Sequence, residues 1–374
     1  MQSHHWKKNM KTMTVNDVIA IIHRFAPPAL AYDWDNVGFL LGDGAWQVKK
    51  VLLTLDVTPN ALQKAIEMNA DLIISHHPLI FRPIKKITNP LYLKLIQNNI
   101  AVISAHTNFD IAHGGVNHKL ADMFGLSELE ILSSKTGASL FMVAVYVPSN
   151  ALDAVKKAIF NAGAGVIGNY SQCLNESDSR GQFMPLDGSN PAVGNHNILE
   201  NVGEIRIEFS VDSFNLGKVV NALKKAHPYE TPAYAVYPQN RSNERYGLGI
   251  IGKLAKPVTI TEFAETVQTK LNAPALKIWL ADKTKDTQIS KIAVCGGSGA
   301  SLISAATGNA DLFLSGEFGY HSMLDSCIPL IEAGHFHTEF PAMQIFADLL
   351  AKEELEINIL PMKDHEISSK LICR

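Results

Sequence analysis

Short apolar runs rich in β-branched residues, each too brief for a helix, alternate along this chain with helix-like stretches. Val51 to Leu55, Leu72 to Ile74 and Ala101 to Ser104 are separated by Asn60 to Met68 and Leu91 to Gln97. Such alternation predicts β-α-β units and a parallel sheet, whose inner strands are buried on both faces and so read as unbroken apolar runs. The pattern returns in Lys291 to Cys295, Asp311 to Ser315 and Ile328 to Glu332. Two stretches of similar texture thus bracket a different middle.

The strand ends carry the chemistry. Leu72 to Ile74 runs directly into Ser75-His76-His77-Pro78, where Pro78 removes a backbone donor and ends the strand. Open α/β sheets bind ligands at the carboxyl ends of their strands. Adjacent histidines there read as metal ligands, serving one ion if the backbone turns between them and two if it does not. After Ala101 to Ser104 comes Ala105-His106-Thr107-Asn108-Phe109-Asp110, in which Asp110 offers carboxylate oxygen or a helix cap, and His106 an imidazole or a supporting hydrogen bond. After Ile328 to Glu332 comes Gly334-His335-Phe336-His337-Thr338-Glu339. His335 and Glu339 are four apart and share a face if that turn is helical, and a carboxylate can bridge two cations. The plainer reading makes Glu339 a helix N-terminal acid and His337 a surface or supporting residue. Three strands of one expected sheet therefore bring together three imidazoles and two carboxylates. That set suits two metals, and nitrogen and oxygen donors favour Zn, Fe, Mn, Co or Ni over Cu(I) or an iron–sulfur cluster.

Two further strings follow strands. In Cys295-Gly296-Gly297-Ser298-Gly299, the amides of Gly296, Gly297, Ser298 and Gly299 make a candidate phosphate cradle, although glycines serve tight turns in any case. In Gly316-Glu317-Phe318-Gly319-Tyr320-His321, His321 is a candidate proton shuttle, with His106 the other. Asp33-Trp34-Asp35-Asn36-Val37-Gly38 reads as a capped turn from which Asp35 and Asn36 reach the sheet edge at most.

The chain has 374 residues, 47% of them hydrophobic and 18% charged, enough for more than one domain. A net charge of −3 and the absence of a Lys/Arg block give no strong nucleic-acid signal. No run reaches membrane-spanning length and no signal-peptide core follows the polar first dozen residues, so the expectation is a cytoplasmic protein with a disordered tail over 1–12. The four cysteines lack Cys-x-x-Cys spacing, which argues against disulfides and thiolate metal sites.

In the middle, strands are expected at Leu140 to Val147 and Glu204 to Val211, followed by helices at Ala151 to Ala162 and Ser213 to Ala226. This repeated β-α unit predicts a small α+β domain inserted into the first. Gly163 to Asn201 reads as a long irregular excursion and Gln239 to Arg245 as the return linker. The domains expected are 13–127 and 246–374, two halves of one mostly parallel α/β unit, interrupted by 128–245.

At these residues the chain resembles the family of the yeast Ngg-interacting factor three, dinuclear metal-centre proteins also known as GTP cyclohydrolase I type 2 homologs. The strings that carry the resemblance are Trp34 to Gly38, Ser75 to Phe81, His106 to Asp110, Cys295 to Gly299 and Gly334 to Glu339. The middle is similar to the insert of longer bacterial members, which resembles the trimer-forming fold of PII and CutA proteins. Its marks are Gly168-Asn169-Tyr170-Ser171, Pro185 to Pro191 and His227-Pro228-Tyr229-Glu230-Thr231-Pro232-Ala233-Tyr234. The resemblance implies two divalent ions per subunit, zinc or iron first, with His77 and Asp110 on one, His76 and His335 on the other, and Glu339 bridging. It also implies a homohexameric ring and a regulatory or substrate-gating insert. Gly316-Glu317-Phe318 departs from the Gly-Asp-Ile/Val of many relatives, keeping the charge but changing its reach.

The activity so implied is hydrolysis of a nucleotide such as GTP by a metal-bound hydroxide, opening the guanine imidazole ring and releasing formate. Paired cations also suit a phosphoesterase acting on a phosphorylated small molecule. The competing expectation is a non-catalytic metal-binding scaffold that senses a small molecule or a partner.

Overall fold

A computed structural model describes residues 12–134, 139–168, 170–243 and 245–367. Residues 1–11 of the expected tail over 1–12, Asn169 and Cys373 lie outside the described residues. The chain divides into two compact units, Met1–Ser133 with Tyr246–Arg374, and Ser134–Arg245.

The larger unit holds two main sheets where one was expected. The first has five strands in the order Glu356–Ile359, Lys50–Thr54, Leu72–Ser75, Ala101–Ser104 and Gly38–Leu41, parallel except for the last. Every residue of Leu72–Ser75 and Ala101–Ser104 is buried, as double-sided cover requires. Helix starts between these strands are set by local chemistry. Thr58 and Asn89 accept from backbone amides ahead of Pro59 and Pro90, which tolerate the first helical turn because no amide is needed there.

The second sheet has six strands in the order Lys277–Trp279, Leu330–Glu332, Leu312–Glu317, Gln288–Ser298, Gly247–Thr259 and Ser127–Ser134. Its three strands Gln288–Ser298, Leu312–Glu317 and Leu330–Glu332 run parallel. Ser127–Ser134 pairs into this sheet, which carries the first segment of the larger unit to Ser133, past the expected boundary at 127.

The two halves of sequence are nevertheless tied together. The strand Glu356–Ile359, from the C-terminal half, hydrogen-bonds alongside Lys50–Thr54. Phe109 and Phe346 are both fully buried and stack at 4.2 Å, joining the helices Thr107–Ile111 and Ala342–Leu350. Each such ring contributes about 2–3 kcal/mol by burial. Among the described residues, no helix is long and apolar enough to cross a membrane.

The smaller unit runs β-α-β-β-α-β. Its four strands Ser139–Val147, Asn175–Phe183, Glu200–Asp212 and Tyr234–Ser242 form an antiparallel sheet in which Ser139–Val147 and Glu200–Asp212 are central. The helices Leu152–Asn161 and Ser213–Ala226 share one core with the sheet, built on Val143, Val145, Ile159, Ile207, Phe209 and Leu223. Two expectations are corrected. The excursion over 163–201 contains the strand Asn175–Phe183, whose sequence is polar almost throughout and whose residues are largely exposed, so no apolar alternation announces it. The stretch read as a return linker instead extends an edge strand to Ser242.

Candidate metal centre

The turn that lets neighbouring histidines cooperate is built by Ser75. Its hydroxyl lies 2.8 Å from the His77 carbonyl and 2.7 Å from the Ser104 hydroxyl, folding the chain as the strand ends. The rings of His76 and His77 then sit 5.3 Å apart at 42°, rather than on opposite faces. Ala105 and His106 leave the adjacent strand and lead into the helix Thr107–Ile111, which carries Asp110. On the second sheet, Gly334 takes φ +87°, a conformation other residues resist, and turns Leu330–Glu332 into the helix His335–Glu339. The carboxyl edges of two different sheets, not of one, therefore supply the donors.

Glu339 is the hub. Its Oε2 lies 2.9 Å from His77 Nε2 and 3.0 Å from His335 Nε2, and its Oε1 lies 3.9 Å from His76 Nε2. Asp110 Oδ1 is 3.4 Å from the same His76 nitrogen. His76, His77 and Glu339 offer atoms within 4.8 Å of one another, the spacing of ligands round an ion. All five expected ligands are thus brought together. The distances group them differently from the expected pairing, His76 with Asp110 on the Oε1 side and His77 with His335 on the Oε2 side.

Each imidazole is fixed through its other nitrogen. Nδ1 of His76 meets the Ala105 carbonyl at 2.9 Å, that of His77 meets Asp56 at 2.7 Å, and that of His335 meets Glu317 at 3.0 Å. An outer partner on Nδ1 sets the tautomer and turns Nε2 inward, as metal-ligating histidines require. Glu317 therefore holds a candidate ligand, His335, in place. Asp56 went unread in the sequence; its only signal is its place just past the neighbouring strand Lys50–Thr54.

The charges match a cation site. Burial pulls His77 down, but Asp56 and Glu339 outweigh it and hold its pKa at about 9. His335 is held at about 9 against burial by Glu339 and Glu317. Burial pushes the Glu339 carboxyl up, yet the His335, His77 and His76 imidazoles around it keep it well below the usual carboxylate range. The nearby Cys295 thiol is driven far up by burial and by the charges of Asp110 and Glu339, so it does not join the donors as thiolate.

The fit to metal rests on two atoms. His76 Nε2 and Asp110 Oδ1 are buried with no hydrogen-bond partner. A buried lone pair without a partner is costly, and a cation between these atoms satisfies both. Asp110 does not act as the helix cap of the plainer reading.

The glycine string serves this geometry and not an anion. Gly296 N donates to Asn117, Gly297 N to Thr338, and Gly299 N to the Glu317 carbonyl, so three of the proposed cradle amides are already engaged. Ser298 lies in the strand register opposite Glu317. A Cβ on Gly297 would fall 2.1 Å from Glu339 Oε1, so the hub occupies space that only glycine leaves. Of the two candidate proton shuttles, His106 lies at the cluster, its ring 5.4 Å from those of both His76 and His77, with Nδ1 held by Asp35 at 2.9 Å. His321 lies exposed on the helix Tyr320–Leu324 against Tyr320, and among the described residues no hydrogen bond or ion pair joins it to the cluster. The loop read as a capped turn does reach the site. Asp35 also binds Thr107, and its own pKa is drawn down to about 2: burial opposes, but hydrogen bonds from His106 and Thr107 prevail. Trp34, 58% exposed, stacks on Tyr32 and meets the His106 ring at 6.2 Å.

A family model for Duf34/NIF3 (NGG1p interacting factor 3) matches residues 13–366. The GTP cyclohydrolase 1 type 2 homolog of Halalkalibacterium halodurans is 39% identical over 335 residues, 87% of this chain and 89% of that protein. The protein of the same name from Bacillus subtilis is 38% identical over 335 residues, again 87% and 89%. The crystal structure of a Bacillus cereus protein related to NIF3 is similar at a TM-score of 0.83 and 34% identity, covering 95% of this chain and 98% of that one. The match spans both halves that meet at Glu339, and the chain belongs to the DUF34/NIF3 family.

Proposed function

We propose that the chain is a metal-dependent hydrolase acting on a nucleotide such as GTP, with a dinuclear centre on His76, His77, Asp110, His335 and Glu339. The observation that carries this reading is the convergence of three Nε2 atoms on one buried carboxylate, beside a second carboxylate oxygen with no partner of its own. Divalent cations held there supply Lewis acidity and lower the pKa of water. Glu339, His76, His77, Asp110 and His335 would hold these ions, with His76 and Asp110 lying on the Oε1 side of Glu339 and His77 and His335 on its Oε2 side. Asp56 and Glu317 keep the imidazoles aimed inward. His106, fixed by Asp35, takes or gives a proton at its free edge toward the reacting group.

The substrate class follows from what borders the metal cluster. Trp34, Tyr32 and Phe81 form an aromatic platform, with Phe81 47% exposed and its ring 5.8 Å from Trp34. A flat base stacks on such rings, each stack contributing about 1–3 kcal/mol. The relatives' name, GTP cyclohydrolase 1 type 2 homolog, points to guanine nucleotide. The assembly proposed is a homohexamer, and the smaller unit is proposed as a PII-like gate.

The test is formate release from GTP by protein loaded with zinc, iron or manganese, beside His77→Ala of unchanged oligomeric size. Formate that appears with wild type and vanishes in the variant supports the reading. No release with any metal rejects GTP ring opening, and turnover that survives the variant moves the scaffold role ahead.

A further inference from the structure

Between Asp71 and Asp110 the chain carries no acidic residue, yet it places Arg82, Lys85, Lys86 and Lys94 there, in a protein whose net charge is −3. Three of these cations lie between His77 and the helix Pro90–Gln97. Every residue from Phe81 to Asn89 is exposed. Arg82, Lys85 and Lys86 form no ion pair or side-chain hydrogen bond among the described residues. A surface that needs only solubility mixes both signs of charge, whereas a cluster of one sign makes a field that draws counter-ions.

The start of this loop is anchored beside the candidate metal centre. Asn36 Nδ2 donates to the Ile80 carbonyl at 2.5 Å and the Tyr92 hydroxyl to the Leu79 carbonyl at 3.1 Å. Phe81 packs against Trp34, whose ring in turn meets that of His106. Pro83 then fixes one backbone angle between Arg82 and Ile84. Arg82 thus adjoins the aromatic platform. Lys86 follows Phe81 by five residues, a span of at most about 18 Å even in fully extended chain.

We propose that Arg82, Lys85 and Lys86 hold the phosphate arm of a nucleotide whose base stacks on Trp34 and Phe81, so that the site selects a polyphosphate over the bare nucleoside. The inference rests on the nucleotide reading above and deepens it. Ring first and cations after is the order of base and phosphates along a nucleotide. Arginine offers a planar fork that pairs with phosphate oxygens through two hydrogen bonds, and the lysines act as point charges. The glycine string does not compete for this role, since three of its amides are already engaged. Exposed charge pairs contribute up to about fivefold in affinity each, so three acting together suffice for a preference of tenfold or more.

The experiment is calorimetric titration of the zinc-loaded full chain with GTP, GMP and guanosine at low and high salt, beside an assay of formate release. Wild type is expected to bind GTP at least about tenfold more tightly than guanosine, with GMP between them and the advantage shrinking as salt screens the exposed charges. Arg82→Gln combined with Lys85→Gln and Lys86→Gln should remove most of that advantage while guanosine affinity and melting temperature hold. Lys85→Arg with Lys86→Arg, which keeps the charge, should retain it. Equal binding of GTP and guanosine by wild type overturns the proposal. So does a GTP preference that survives the triple substitution, which would put the phosphates on the metals instead. The hydrolase reading fails separately: a loop-dependent GTP preference with no formate supports the subsite and rejects ring opening, whereas formate released at the same KM by wild type and triple variant overturns the subsite and leaves ring opening standing.

Discussion

Imidazoles in two places of the larger unit shift in opposite directions. At the candidate metal centre His77 and His335 are held at about 9, because carboxylates outweigh burial. On the helix Val116–Met123, burial and the neighbouring His113 send His118 down to about 4. Both regions contain close histidine pairs, with rings 5.3 Å apart for His76 and His77 and 4.6 Å for His113 and His118. Histidine proximity therefore does not define a cation site. The acids that converge with it do, since they stabilise positive charge in a place where burial alone would expel it.

The sharpest way to break this contrast is Glu339→Ala, which makes the first region resemble the second. Metal affinity should fall beyond the tenfold to hundredfold typical of losing an outer partner, roughly, and elemental analysis of protein purified without chelator should find little metal. In the metal-free variant, His77 and His335 should move down from about 9, read by NMR titration. Unchanged metal content would show that the hub is misassigned. Asp56→Asn is milder. It leaves every ligand in place but loosens His77, so affinity should drop about tenfold to a hundredfold, as competition with a chelator measures.

The residues of the candidate site were legible because each sits just past an apolar strand, where a polar residue must have a reason. Asp35, Asp56, Asn117 and Glu317 were harder to assign because their partners are distant in sequence: His77 lies 21 residues from Asp56, and His106 lies 71 from Asp35. The sequence pattern predicts the parallel strands but not their division into two sheets, since a parallel run looks the same in either. The glycine string was legible as a place of close approach, and what approaches it, the Glu339 carboxylate, comes from 42 residues further on. Polarity hid the strand Asn175–Phe183.

The contrast also makes a prediction about stability. In the metal-free protein, the raised pKa values of His77 and His335 stabilise the fold fully below their ordinary 6.5, and that contribution is lost as pH rises through about 9. His118 does the reverse: its contribution is fully present above 6.5 and is lost as pH falls toward about 4, because unfolding lets the ring take up a proton. Its loss amounts to at most about 3 kcal/mol, reduced by screening for a ring partly open to water. Urea unfolding of His118→Gln should accordingly show a shallower fall in stability across this acidic window than wild type, with the alkaline limb unchanged.

The smallest effect separates the two causes acting on His118. His113→Gln removes the neighbouring charge but not the burial, and burial is the larger cause. The His118 resonance should therefore titrate somewhat above about 4 but still below 6.5. A full return to 6.5 would mean that charge repulsion, not burial, governs this pair, and the contrast with the metal centre would become one of net charge alone. A rise that stops short leaves burial as the shared background on which Glu339, Asp56 and Glu317 act.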